Sequence, residues 1–150
     1  MNRYSTNSAS KVCECEIDLQ TILFEAIKYS PYDYGISEGH RETDRQFDLF
    51  KKGRSFLNGE WVVVDKSKVV TNVDGIKNKS YHNYTPSRAF DIFAWVDGKI
   101  SYEPKHLLPI AGHILKTARK LRDEGKVSRH LDWGGFFKTI TDMPHFQIDV

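Results

Sequence analysis

Ser80-Tyr81-His82-Asn83-Tyr84-Thr85-Pro86-Ser87-Arg88-Ala89-Phe90-Asp91 is the stretch that decides how this chain folds. His82 and Asp91 stand near its two ends. Asn83, Thr85, Pro86 and Ser87 between them favour turns. From Ala89 to Val96 the chain is apolar except for Asp91, and it is rich in the strand-favouring Ile, Phe, Trp and Val. That length suits a strand and is short for a helix. A carboxylate inside such a strand is costly unless it is paired. Two kinds of partner meet the cost: an arginine, Arg88 or Arg41, or a metal ion.

The end of the chain favours the metal. Asp142-Met143-Pro144-His145-Phe146-Gln147-Ile148 supplies a second histidine with an acid three residues before it. His82, Asp91 and His145 make a three-ligand set that leaves the fourth tetrahedral position of a zinc ion open. Asp142 then has work to do, as the group that takes a proton from water. Two imidazoles favour zinc over calcium or magnesium, which prefer all-oxygen sets.

Ser80-x-His82…Asp91 followed by Asp142-x-x-His145 resembles the zinc peptidases that cleave bacterial cell-wall peptides. That family includes D-alanyl-D-alanine carboxypeptidases and L-alanyl-D-glutamate peptidases, and the chain is most similar to bacteriophage endolysins among them. The resemblance extends to Gly39-His40-Arg41, Arg45-Gln46, Gly53-Arg54-Ser55, Asp74-Gly75, Trp133-Gly134-Gly135 and Pro144-His145-Phe146. It departs from the family's short motif in one place. The motif glycine is absent and two extra residues lengthen the loop between His82 and Asp91.

The resemblance implies an α+β fold of the Hedgehog/D-Ala-D-Ala-peptidase type, a small, mainly antiparallel sheet packed with helices. It implies zinc held by His82, Asp91 and His145, Asp142 as general base, and Arg41 steadying the oxygen of the scissile carbonyl. It places Trp133 beside the substrate. Ser80, through its hydroxyl, and Gln46 are further candidates for substrate or outer-shell contacts, each with a structural alternative in a loop or cap. The implied substrate is bacterial peptidoglycan, and the bond is L-alanyl-D-glutamate. Two alternatives stay open: a D-alanyl carboxypeptidase of the same family, and a non-catalytic zinc domain that only binds the cell wall.

Composition narrows the classes. The 150 residues suit one domain with its own core, read as residues 17–150 after a flexible arm of residues 1–16. A formal net charge of +2 and the lack of a Lys/Arg block speak against nucleic acid. No segment is long and apolar enough to span a membrane. The polar first residues lack the apolar core of a signal peptide. The expectation is a monomer in the host cytoplasm until it is released to the wall. Cys13 and Cys15 are too close for an easy disulfide, and no second Cys/His pair lies near them to complete a metal site.

Along the chain, Leu19, Ile22, Leu23, Ala26 and Ile27 share a helical face, with Asp18 as its expected cap. A strand is expected at residues 32–37. Thr43 and Gln46 have capping-box spacing before a helix that Gly53 stops. Strand signals follow at residues 61–64 and 69–71, and a hairpin turn at Asp97-Gly98. The longest helix is expected over residues 104–124, closed by Gly125. His106 and His113 on it read as non-ligands. Short strands are expected at residues 128–131 and 145–150, with His130 and Asp132 as reserve ligands.

Overall fold

The computed structural model describes residues 1–149. Its centre is the strand that begins at Ala89. β4 (Ala89–Val96) runs through the middle of a five-stranded antiparallel sheet. On one side of it lies β1 (Asp33–Glu38), and on the other β7 (His145–Ile148), followed by β6 (Leu131–Trp133). β5 (Lys99–Ser101) returns on β4 through the Asp97-Gly98 turn, where both residues have positive φ, as a tight hairpin requires. The mainly antiparallel α+β architecture is the one expected.

Side-chain alternation explains why β4 tolerates Asp91. Phe90, Ile92 and Ala94 are fully buried on one face. Beneath that face lie α2 (Ile17–Ala26) and α4 (Pro104–Asp123), which bury Leu19, Ile22 and Leu23 and Leu107, Ile110 and Ile114 respectively. Truncating one of these fully buried residues to alanine costs about 2–5 kcal/mol. Phe90 stacks on Phe146 of β7 with ring centroids 5.0 Å apart, a contact worth about 0.5–1.5 kcal/mol beyond its buried area. Asp91 points the other way, next to His145 across the ladder. β1 ends at Glu38 opposite Asp91, near the start of β4, and on the other side of β4 the strand β7 opens with His145 opposite the same Asp91. The candidate residues gather there.

Residues 1–16 do not form a flexible arm. They contain α1 (Thr6–Cys13), capped by Ser5, and Val12 and Cys15 belong to the core with 0% and 1% exposure. Ser8 accepts the backbone N–H of Ile36 on its hydroxyl, which ties α1 to β1. Too few apolar residues stand in this segment for a periodic signal, and two buried ones suffice to dock it. Asp18 does not cap α2 either. Glu16 holds the N-cap position, and Asp18 accepts from the N–H groups of Ser128 and Arg129 instead.

α3 (Thr43–Lys51) carries Arg41 just before its start, and the small hairpin of β2 (Arg54–Leu57) and β3 (Glu60–Val63) follows it. Residues 69–71 are not a strand; they belong to the loop between this hairpin and His82. Val69 and Val70 favour strands but find no neighbouring strand to pair with. The strand expected at residues 128–131 begins later, at Leu131, and the last strand ends at Ile148. Val150, expected in it, lies outside the described residues.

Candidate active site

His82 is placed by a tight turn. Ser80 caps a short 3-10 turn, its hydroxyl accepting the His82 N–H at 3.3 Å, while the Asn83 side chain accepts the Ser80 N–H. This is the loop-orienting role open to Ser80 from sequence. His82 is 1% exposed. Its Nδ1 donates to the carbonyl oxygen of Gly39 at 2.7 Å, which fixes the tautomer and leaves the Nε2 lone pair free. His145 is fixed the opposite way round. Its Nε2 donates to Gln147 Oε1 at 2.8 Å and its Nδ1 is left free.

The two free nitrogens face Asp91. His82 Nε2 and His145 Nδ1 are 3.2 Å apart, and each approaches Asp91 Oδ1, at 3.3 and 3.0 Å. Among the described residues this is the group of histidines and acids whose ligand atoms converge tightly enough to hold a metal. Ligands about 2.0–2.1 Å from a tetrahedral zinc lie about 3.3–3.4 Å from each other, close to the spacing found here. Three acceptor atoms turned toward one point demand a positive charge. Burial pulls the His145 imidazole down, but the hydrogen bond and charge of Asp91 outweigh it and raise its pKa. Burial likewise pushes Asp91 up, and the imidazoles of His82 and His145 drive it well below the usual carboxylate range.

The outer oxygen of Asp91 belongs to Arg41. The Nη2 of Arg41 donates to Asp91 Oδ2 at 3.2 Å and also to Glu38, while its Nη1 donates to Gln46 Oε1 at 2.9 Å. Arg41 is thus the arginine that pairs with Asp91; Arg88 stacks over Tyr84 instead, 3.8 Å from the ring centroid. Burial pushes the Glu38 carboxyl up, yet hydrogen bonds from Arg41 and Arg45 hold it below its ordinary value. Gln46 is completely buried and caps nothing, since Glu42 precedes the helix. Its amide donates to the Val73 carbonyl at 2.8 Å, tying Arg41 to the 71–80 loop.

Asp142 is half-buried, and its backbone carbonyl accepts the His145 N–H at 3.2 Å. Burial raises its pKa and the nearby Asp91 charge raises it further, while His145, His82 and Arg41 pull the other way. A carboxyl shifted upward is a better proton acceptor than a free one. The Gly134-Gly135 pair lets the chain close over this segment. A Cβ on Gly134 would meet the Asp142 carbonyl oxygen at 2.2 Å. Trp133 is a core residue, 7% exposed, and its indole donates to the Met143 carbonyl at 2.7 Å. It anchors the 142–145 segment from beneath.

The remaining histidines have other occupations. His106 meets Ser101 and His113 meets the Ala26 carbonyl, both at 2.8 Å. His40 bonds the Tyr84 carbonyl, and the reserve ligands His130 and Asp132 pair with each other at 3.5 Å outside the cluster. The lengthened loop before Asp91 is firmly held. Ser87 is buried, its hydroxyl donates to Ala89 and Gly39, and its backbone exchanges hydrogen bonds with Glu14 and Glu16. Three contributors escape sequence reasoning: Glu38, the Gly39 carbonyl and Gln147. Only Gln147 left a signal, two residues after His145 on the same face of a strand.

Residues 1–145 match the family model of the phage L-alanyl-D-glutamate peptidases. The chain belongs to this family. With membership comes the reaction, hydrolysis of the L-alanyl-D-glutamate bond of peptidoglycan. The crystal structure of the L-Ala D-Glu endopeptidase ChiX of Serratia marcescens is similar, with a TM-score of 0.69. The two share 22% sequence identity, and the match covers 99% of this chain and 91% of that one. At that identity the likeness is one of fold. No curated protein matches the chain. Among the described residues of the peptidase, no helix is long and apolar enough to cross a membrane.

Proposed function

We propose that this peptidase cleaves the L-alanyl-D-glutamate bond as a zinc enzyme, with His82, Asp91 and His145 as the ligands, and serves as a phage lysis enzyme. The observation that carries the reading is the triangle of His82 Nε2, Asp91 Oδ1 and His145 Nδ1, with edges of 3.0–3.3 Å. Both outer imidazole nitrogens are committed to acceptors, as zinc ligands require. Zinc, when bound, supplies a Lewis acid that lets water attack near neutral pH and that draws charge from a carbonyl oxygen.

The chain's own residues do the rest. Asp142 takes a proton from the attacking water on a carboxylate oxygen and returns it to the leaving amine nitrogen. Its raised pKa suits both halves of that exchange. Arg41 holds Asp91 by Nη2, and the second hydrogen of its Nη1 is left for the oxygen of the scissile carbonyl. Gly39 and Gln147 keep the two imidazoles in the required tautomers. Ser80 and Gln46 hold the loops on which His82 and Arg41 stand, and Trp133 supports Asp142 and His145 from the core.

The test is digestion of purified peptidoglycan with and without a chelator and added zinc, with products identified by mass. Chelator-sensitive appearance of N-terminal D-glutamate is expected, and Asp142→Ala is expected to keep zinc and lose cleavage. Release of free D-alanine would make the protein a carboxypeptidase. Zinc binding with no cleavage would leave a wall-binding domain.

A further inference from the structure

The turn that follows β6 touches two different places. Gly134 packs on Asp142 and His145, while Phe136, two residues on, lines a groove of about 400 Å³ between α4 and β6. The floor of this groove is apolar, formed by Leu131 and Trp133, with Phe136 standing 73% exposed at one side. Its rim is basic. Arg119 and Arg122 project from one side of α4, three residues apart, and Arg129 and His130 come from the segment leading into β6.

The charges of this rim are only partly answered. Asp132 is the acid among the described lining residues, and it faces His130 at 3.5 Å. Arg122 donates to His130 Nδ1 at 3.0 Å. Asp18 lies close by in the fold, but its carboxylate accepts the N–H groups of Ser128 and Arg129 and the Ser128 hydroxyl. Arg119 and Arg129 have no side-chain hydrogen bond or ion pair among the described residues, and the Nη1 of Arg129 is buried without an acceptor. A buried charged donor without an acceptor is costly, and an ionised ligand oxygen relieves that cost.

We propose that this groove is an accessory substrate site that takes a carboxylate-bearing peptide of the peptidoglycan polymer, other than the one being cut. Arg119 and Arg129 grip the carboxylates, and the apolar floor receives alanine methyl groups. Cell-wall stem peptides combine those two chemistries, and the polymer repeats them, so one strand can occupy the groove and the active site together. Linked occupancy raises affinity for the polymer without changing the affinity of either site alone. The proposal rests on peptidoglycan being the substrate.

The experiment compares polymer with fragment. Purified sacculi are sedimented with protein carrying Asp142→Ala, which keeps them intact, with and without the added pair Arg119→Ala and Arg129→Ala. Separately, the pair is placed in the active enzyme and assayed on sacculi and on a short synthetic L-alanyl-D-glutamyl peptide. The pair is expected to weaken sacculus binding about tenfold and to lower turnover of sacculi correspondingly, with kcat/KM on the short peptide within about twofold. Arg119→Lys with Arg129→Lys keeps the charge, loses the planar fork and shows a smaller loss; it also stands in if the alanine pair fails to fold. Unchanged sacculus binding, or equal losses on both substrates, would overturn the proposal. If the wild-type protein cuts neither substrate, the proposed function is refuted, and the sedimentation arm still judges the groove.

Discussion

Gln147 Oε1 lies 2.8 Å from His145 Nε2, on the strand that carries both residues. That single contact decides which nitrogen of His145 faces Asp91. An amide oxygen can only accept, so Nε2 carries the proton and Nδ1 presents its lone pair to the site. Gln147→Leu keeps roughly the same volume and removes the acceptor. Zinc affinity is expected to fall about 10–100-fold, read by competition with a chelating dye. Gln147→Glu also accepts, and should retain most of the affinity. Unchanged affinity in the leucine variant would show that the tautomer is set by something other than Gln147.

Metal should appear in stability as well as in activity. A ligand that binds the folded state alone stabilises it by about 2.7 kcal/mol at a hundredfold excess over its Kd. For a domain of this size that is a rise of several degrees in Tm. The expected outcome is a zinc-dependent rise in the wild type and none in Asp91→Ala, whose loss removes the atom shared by both imidazoles. Equal shifts in the two proteins would place the metal elsewhere.

How far this site is legible in the sequence differs by residue. His82, Asp91 and His145 stand out because a histidine, an acid and a distant histidine are chemically unusual in strand and turn contexts, and the structure brings them together. The α+β class follows from the family resemblance, and the long helix from apolar periodicity that the core then satisfies. Glu38 gives no such signal. It is one acid among many, and its importance comes from the chain reversal that brings it to Arg41 and Arg45. Gln46 misleads for a different reason: a glutamine three residues after a threonine fits a cap, but tertiary burial gave its amide to Arg41 and Val73. The N-terminal helix is missed because docking against a finished sheet, not local periodicity, holds it.

Gly134 tests how tightly the Asp142 segment must close. A Cβ there would stand 2.2 Å from the Asp142 carbonyl oxygen and 3.1 Å from the His145 Cβ. The first of these neighbours is backbone, so it cannot rotate away. Gly134→Ala should shift Asp142 and His145 together, lowering kcat by about 10-fold or more, since small misplacements of reacting groups are costly. Stability should fall by about 1–3 kcal/mol, the usual cost of overpacking. Steady-state kinetics and chemical denaturation measure the two effects. Wild-type kcat in a folded variant would mean that the segment has room to move.

Asp74 links the 71–80 loop to acid stability. Its Oδ1 accepts the N–H groups of Ile76, Lys77 and Asn78. Partial burial pushes this carboxyl up, but those backbone donors outweigh it and lower its pKa. A depressed folded-state pKa means stabilisation that is present above the unfolded value of about 3.9 and lost as pH falls through the folded one. Asp74→Asn keeps an acceptor oxygen and removes the charge. It should therefore be less stable than the wild type at pH 7, by about 0.5–1 kcal/mol as for a weakened cap. The gap should close on acidification below the carboxylate range. Denaturant titrations of both proteins at pH 7 and pH 3 measure it. The charge-assisted turn would be disproved by a gap of equal size at both pH values. The loop reaches the site through Gly75, which packs on Gln46 and Asn83, so the same variant should also raise KM or lower kcat modestly at neutral pH.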